Sequence, residues 1–443
     1  MFHSLTKHLS FNLYRTRHWL RNLPIGGKWG RTQPAPVRRN LRWFWFDGLF
    51  ASAGDNIVIN FITLYILALG ANEGQIGLMN SLTNLIGAIL LLPGALIAEH
   101  TLHKKWVNLS FSALGRLAVL MLVFVPIFVK GPAVVWVAIA FSLLRDASGN
   151  LAYPAWMAVT HTIVPLEGRG RFFGSRNFVM SITSMIATLL TGKIITLLVN
   201  PIGYQIAMAA SFVFGCSSIF SYSHIDDTPT DEPQPIPHSR HFSLHSIPGM
   251  FVDQPQFTAL AITAAVWNFA INISGPFFSV YMVQGLHFSA ASVGFLAVVT
   301  SMTTLATQNQ FGTIADRIGP RRLQVLSMFL IPLLPVAWIF ASQVWHIAVI
   351  NAFSGVVWGM FNLVSFNLLL ASIPKAQVPR YSALYQIVVL GSLALGAAVG
   401  SAIIVRTNFF VVCIISTIAR FIAAGLFARV VHDPLPQLPA QSS

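Results

Sequence analysis

A chain of 443 residues of which 55% are hydrophobic and only 9% charged is not an ordinary soluble protein, where about a quarter of residues carry charge. A formal charge of +14, from 27 Lys and Arg against 13 Asp and Glu, would suggest nucleic acid as the partner of a soluble chain. Here the basic residues gather in alternate loops between apolar runs, so the expected partner is a lipid bilayer, not nucleic acid.

Residues 1–42 are basic and aromatic, with Lys7, Arg15, Arg17, Arg21, Lys28 and Arg31 and no acid before Asp47. Such a segment reads as a cytoplasmic tail lying on anionic headgroups or as a transit peptide of similar composition. It has no apolar core with a small-residue cleavage site, which argues against a secretory signal. Twelve apolar runs follow, each long enough to cross ~30 Å of hydrocarbon as helix. Their approximate spans are 43–69, 75–99, 106–129, 133–160, 173–199 and 203–222, then 257–284, 290–314, 323–342, 345–372, 381–405 and 408–431. Between the sixth and seventh lies residues 223–256, a polar stretch with Asp226, Asp227, Asp231 and Glu232 that reads as a linker. Its His238, His241 and His245 suit a flexible linker better than a metal site. Residues 432–443 form a short C-terminal tail. With both ends placed inside, 21 of the 27 basic residues fall on the cytoplasmic side and only Lys130 and Arg406 in outer loops, which sets the orientation.

The chain also repeats itself, and a fixed offset signals a duplicated unit. Shifting by 217 residues puts Asp316 on Glu99, Ala315 on Ala98, Arg321 on Lys104, Arg322 on Lys105 and Gly294 on Gly77. The expected architecture is therefore an all-α membrane protein of two pseudo-symmetric six-helix bundles, residues 43–222 and 257–431. The later copy, Gly312 to Arg322 (G-T-I-A-D-R-I-G-P-R-R), resembles the signature loop between the second and third helices of each half of the major facilitator superfamily of secondary transporters. The earlier copy, Gly94 to Lys105, departs from that pattern, with Glu99 for the usual aspartate. Tyr153 to Trp156 with Arg169 to Gly174 resembles a bacterial branch of the superfamily poorly described by substrate. The resemblance implies a cytoplasmic gate built from Glu99, Lys104, Lys105, Arg171, Asp316, Arg317, Arg321, Arg322 and Arg380. In it Asp316 would hold the fifth helix and Glu99 the eleventh when the inner side is closed.

Ionisable groups at membrane depth are costly and default to functional hypotheses. Asp47 and Lys193 fall near predicted helix ends and read as interfacial anchors; Asp55, Arg116, Arg145, Asp146 and Arg420 lie deeper. Asp55 stands 12 residues past Trp43 and Arg145 stands 12 residues past Ala133, each ~18 Å along its helix. Equal depth permits a contact between them. A carboxylate alone at that depth takes up a proton, whereas one beside a guanidinium stays ionised, so separating the two during a transport cycle would link protonation to conformation. The superfamily's fourth-helix pattern, an arginine with glycine four residues on, is matched by Arg145 to Gly149, and the resemblance associates that arginine with proton coupling. The competing reading is that Arg145 and Asp146 only satisfy each other or a neighbour.

Four helices carry polar residues at intervals of three and four, hence on one face. The first has Asp55, Asn56 and Asn60, the fourth Asp146, Asn150 and Tyr153, the seventh Asn268 and Asn272, and the tenth Asn351 and Asn362. Small polar side chains also serve helix packing in lipid. The resemblance places these four helices around a central cavity, which with Trp267, Trp358 and Tyr153 would suit a small organic solute. No phosphate-cradling loop, Ser-His-acid set or zinc-type motif stands out. The expectation is a secondary transporter, monomeric and without cofactor or metal, coupled to protons or facilitative, in the plasma membrane. The alternative is a receptor or assembly factor that keeps the fold without transporting. The fifth helix, Ser181 to Lys193, lacks the G-x-x-x-G-P signature of proton-driven drug exporters, which lowers the expectation of multidrug efflux.

Overall fold

In lipid every backbone N–H and C=O must find its partner within the segment, so long apolar runs become helices. The computed structural model describes residues 28–165, 167–227, 247–373 and 378–432. Among them twelve helices are long and apolar enough to cross a membrane. They are α1 (Ala35–Ala68), α2 (Glu73–His100), α3 (Lys104–Phe128), α4 (Ala133–Ile163), α5 (Arg169–Leu197) and α6 (Ile202–Ser223). The second set is α7 (Pro255–Gly285), α8 (Ala290–Ile318), α9 (Pro320–Ile339), α10 (Val344–Ala371), α11 (Val378–Ile404) and α12 (Phe409–Val430). Because the number of spans is even, α1 begins and α12 finishes at one end of the bundle, the tail end; the opposite end is called the far end below. The linker histidines His238, His241 and His245 lie outside the described residues.

Three elements differ from the hydropathy reading. Helix α1 begins at Ala35, not Trp43, because Arg38, Arg39 and Arg42 are polar but helix-competent and nothing interrupts the helix before Pro34 and Pro36. Helix α7 is broken at Gly275–Pro276 and finishes in a wide turn, Tyr281–Gly285. Proline lacks the N–H that would continue the ladder. Helix α9 is interrupted at Ile331–Pro332 for the same reason.

Within the first six helices the neighbours are α1 with α5 and α6, α2 with α4, and α3 with α4 and α6; adding six to each number gives the main neighbours of the second six. The halves touch each other through α2 against α11 and α5 against α8, pairs that the same addition exchanges. At the far end these seams are tight. Ser401 donates to the Gly74 carbonyl at 2.9 Å, Ser81 to the Ala394 carbonyl at 2.8 Å, and the Ala291 amide to Thr196 at 2.9 Å. A Cβ on Gly77 would stand 2.6 Å from that of Ser401, and one on Gly294 would stand 3.1 Å from the Thr188 carbonyl oxygen. The two glycines related by the 217-residue offset thus let the backbones approach at the two symmetry-related seams. These contacts, down to Gly87 beside Leu390, lie within roughly 21 Å of the far end.

Candidate functional site

Four charges from three helices meet about halfway through the first bundle. Arg116 on α3 donates through Nη1 to Asp55 Oδ1 on α1 at 2.5 Å, and Arg145 on α4 donates through Nη2 to the same oxygen at 3.3 Å. Arg145 also reaches Asp146 Oδ1 through Nη1 at 2.7 Å, and Thr83 of α2 donates to Asp146 Oδ2 at 3.2 Å. Two acids and two guanidinium groups make the set neutral as a whole, which is how buried charge is tolerated in a low dielectric. The Asp55 side chain is 35% exposed, the most open of the four.

Equal depth permits a contact between Asp55 and Arg145, and the geometry brings them within 3.3 Å; Arg145 also pairs with Asp146, so the reading in which these two satisfy each other or a neighbour stands beside the coupling reading. Arg116 is the addition. It is an intramembrane arginine by sequence, but periodicity along α3 alone does not reveal that its face meets Asp55.

Beyond the charges the stripe residues divide. Asn56 and Asn60, with Ser184 and Thr188 of α5 and Thr300 and Ser301 of α8, line a cavity of about 270 Å³ on the side of the cleft. Asn60 donates to Thr188 across it at 3.3 Å. The α5 and α8 members were missed: their spacing of three and four was visible in Ser181, Ser184 and Thr188, but hydroxyls in lipid more often serve packing. Asn150 and Asn268 donate to carbonyls of their own helices, and the Tyr153 ring is 52% exposed. Trp358 is half-buried edge-on to Phe361, and Asn362 is exposed toward the tail end.

Two expected wall residues are corrected. Trp267 is 1% exposed and stacks behind Phe361 at 5.4 Å, so it supports the wall from within the core. Asn272 is buried and donates both to Asn80 Oδ1 of α2 at 2.8 Å and to the Leu393 carbonyl of α11 at 2.7 Å. It fastens the halves together at the seam. Asp47 is likewise no interfacial anchor. It does not reach out to the interface but is buried, accepts from Ser218 at 2.7 Å and pairs with Arg176 of α5 at 3.6 Å. Arg176, near the start of α5, is buried with its guanidinium 4.2 Å from the Phe44 ring.

The gate residues are spread over the tail end. Glu99 is exposed and has no ion pair among the described residues, and Arg171, Arg317 and Arg322 are exposed. Lys104 is half-buried, Lys105 donates to the Ile225 carbonyl at 2.6 Å, and Arg321 binds the Ala428 carbonyl at 2.7 Å, tying α9 to α12. Arg380 is half-buried at the start of α11. The side chain of Asp316 lies outside the described residues. No group of three His, Cys, Asp or Glu among the described residues is placed to hold a metal ion.

Two six-helix halves joined at one end over a polar cleft define a membrane transporter architecture. The chain belongs to the Major Facilitator Superfamily, whose profile matches residues 44–274 and 260–443, and it is an integral multi-pass membrane protein. It is 24% identical over 335 residues to "Multidrug resistance protein MdtG" of Dickeya zeae, covering 73% of this chain and 78% of that protein. The same-named protein of Serratia proteamaculans is 24% identical over 339 residues, covering 73% and 77%. Among solved structures, a mutant of the nucleoside transporter NupG superimposes with a TM-score of 0.68 at 12% identity, covering 88% of this chain and 100% of that one. A D-xylose–proton symporter gives 0.64 at 13% identity, covering 89% and 97%. At these identities the structures show the fold alone.

Proposed function

We propose that the chain is a secondary transporter of a small organic solute in the plasma membrane, working by alternating access with Asp55 as the proton-responsive group. The observation that carries this reading is the asymmetry of closure. The bonds joining the halves lie toward the far end, which loop charge assigns to the outside, while Glu99, Tyr153 and Asn362 are exposed toward the tail end. The chain is then in its inward-facing state, and rocking about the midplane closes the tail end and opens the far end.

The cluster supplies the coupling. Asp55 Oδ1 is shared by guanidinium groups on two helices, so a rearrangement that withdraws one of them weakens the hold on the charged form of the carboxylate. A proton taken up in one state and released in the other links the gradient to solute movement. The solute would sit against Asn56, Asn60, Asn150, Tyr153, Asn268, Trp358 and Asn362, with amides giving orientation and rings giving flat contact. The name of the relatives adds drugs to the candidate solutes, against the missing exporter signature on α5.

The test is flux in proteoliposomes with an imposed pH gradient, using a panel of metabolites and drug-like dyes. Asp55→Asn should fold, abolish gradient-driven accumulation and spare solute exchange. Unaltered accumulation would remove Asp55 from the mechanism. Absence of flux for every solute would favour a receptor or assembly role.

A further inference from the structure

The first and sixth helices leave an unfilled aromatic groove on the outer surface of the bundle near the tail end. It is lined by Trp43, Phe46 and Phe50 of α1 and Cys216 and Phe220 of α6, and has a volume of about 550 Å³, within the range of small-ligand sites. Phe220 is 60% exposed and Cys216 is exposed, so the groove faces the surrounding lipid. Trp43 is held edge-on to Phe220 at 6.3 Å and stacked on His224 at 4.5 Å, which fixes its ring and closes the tail end of the groove.

Exposed charge sits at one end of this groove, whereas at the other Arg116, paired with Asp55, packs against Gly215. Arg39, Arg42, Trp43, Phe46 and Phe50 fall at intervals of three, one, three and four, and so share one face of α1. Measured from Ala68 at 1.5 Å per residue, Phe50 lies ~27 Å and Phe46 ~33 Å down the helix, at the limit of a ~30 Å hydrocarbon layer. Trp43 follows at ~38 Å, where indoles favour the interface, and Arg42 and Arg39 lie beyond it, at headgroup level. Arg39 is paired with Asp226 at 3.4 Å. Arg42 is exposed and has no ion pair among the described residues. His224 donates through Nδ1 to the Phe220 carbonyl at 2.8 Å, leaving Nε2 turned away from its own helix.

The geometry points to a binding site for one anionic phospholipid of the inner leaflet, with an acyl chain in the Trp43–Phe46–Phe50–Phe220 groove and the phosphodiester on Arg42. Arg39, Arg42 and Asp226 sum to one positive charge, which matches a singly charged headgroup; a zwitterionic lipid would bring an additional cation to the same rim. Arginine suits the phosphate because its fork donates two parallel bonds to it. This site stands apart from the transport cleft and does not depend on the transport reading.

Cys216 is a native probe, since Cys413 is fully buried. The full chain is reconstituted in vesicles of phosphatidylcholine alone and of phosphatidylcholine with phosphatidylglycerol, and the rate of maleimide alkylation of Cys216 is followed. Phosphatidylglycerol should slow it several-fold in the unmodified chain, and Arg42→Gln should remove that protection. As a control, Val213→Cys in a Cys216→Ser background places the thiol on an exposed position of α6 outside the groove, and its rate should not depend on the lipid. Equal Cys216 rates in the two membranes would overturn the assignment, as would protection that survives Arg42→Gln or that appears equally at Val213→Cys. Protection in phosphatidylcholine that grows with protein density would give the groove to a second copy of the chain instead.

Discussion

Asp47 and Asp55 stand eight residues apart on α1, about 12 Å, yet one is enclosed and the other is 35% exposed. Asp47 is surrounded by Arg176, Ser218 and the Phe44 ring system, a constellation that joins α1, α5 and α6 inside the first half. Removing one partner of a buried pair leaves an uncompensated charge and costs about 3–5 kcal/mol. Asp47→Ala should therefore lower the thermal midpoint of the detergent-solubilised protein by several degrees, and Asp47→Ala with Arg176→Met should recover much of the loss. An unchanged midpoint for the single variant would contradict the pairing. Asp55 should behave differently, losing coupling while the fold stays intact. The sequence conveyed depth well, because residue counting along a helix is arithmetic; it placed Asp55 and Arg145 level. It did not convey facing, so Arg116 was read as a deep charge but not placed beside Asp55, and Asp47 was read as an anchor although it is enclosed by Arg176 and Ser218.

At the scale of the helix, what hydropathy could read was the existence and order of the twelve spans, and what it could not read was their interruptions. The break of α7 at Gly275–Pro276 is written in those two residues, yet proline inside an apolar run is common in lipid, where neighbours can satisfy the freed carbonyl. Beside the break Arg420 of α12, buried to 2% exposure, donates to Ser274 at 3.0 Å and to the Ile271 carbonyl at 3.1 Å, which also accepts from the Gly275 amide. The seams between the halves were visible only as two glycines in register, Gly77 and Gly294. Because a Cβ at Gly77 would meet both Ser401 and Phe277 within 2.9 Å, Gly77→Leu should prevent the far end from closing. Cysteine probes in the far-end vestibule should label faster in this variant and tail-end probes more slowly. Labelling that matches the unmodified chain would show that α2 and α11 adjust around the added side chain.

For the molecule as a whole, the pattern of neighbours follows the duplication, the proposed orientation rests on loop charge, and each can be checked separately. Reporter fusions after Glu73 and after His287 should read outside; an inside reading at either would reverse the assignment of the far end. The closed seam itself can be locked. A Cβ at Gly74 would lie 2.8 Å from a Val405 methyl group, so cysteines at the two positions are close enough for the Cβ separation of about 3.5–4.5 Å that a disulfide needs. In a Cys216→Ser background, Gly74→Cys with Val405→Cys should oxidise readily and hold the far end shut. If transport requires that end to open, flux should stop on oxidation and return with reductant, while solute still binds from the tail end with the affinity of the reduced protein. The symmetry explains why one lock suffices: α2 with α11 and α5 with α8 are exchanged by the same duplication, so the halves cannot part at one seam and rock as rigid bodies while the other stays closed. Full flux with the disulfide formed would mean that solute passes without separation of the halves at the far end, and the alternating-access reading would fall with it.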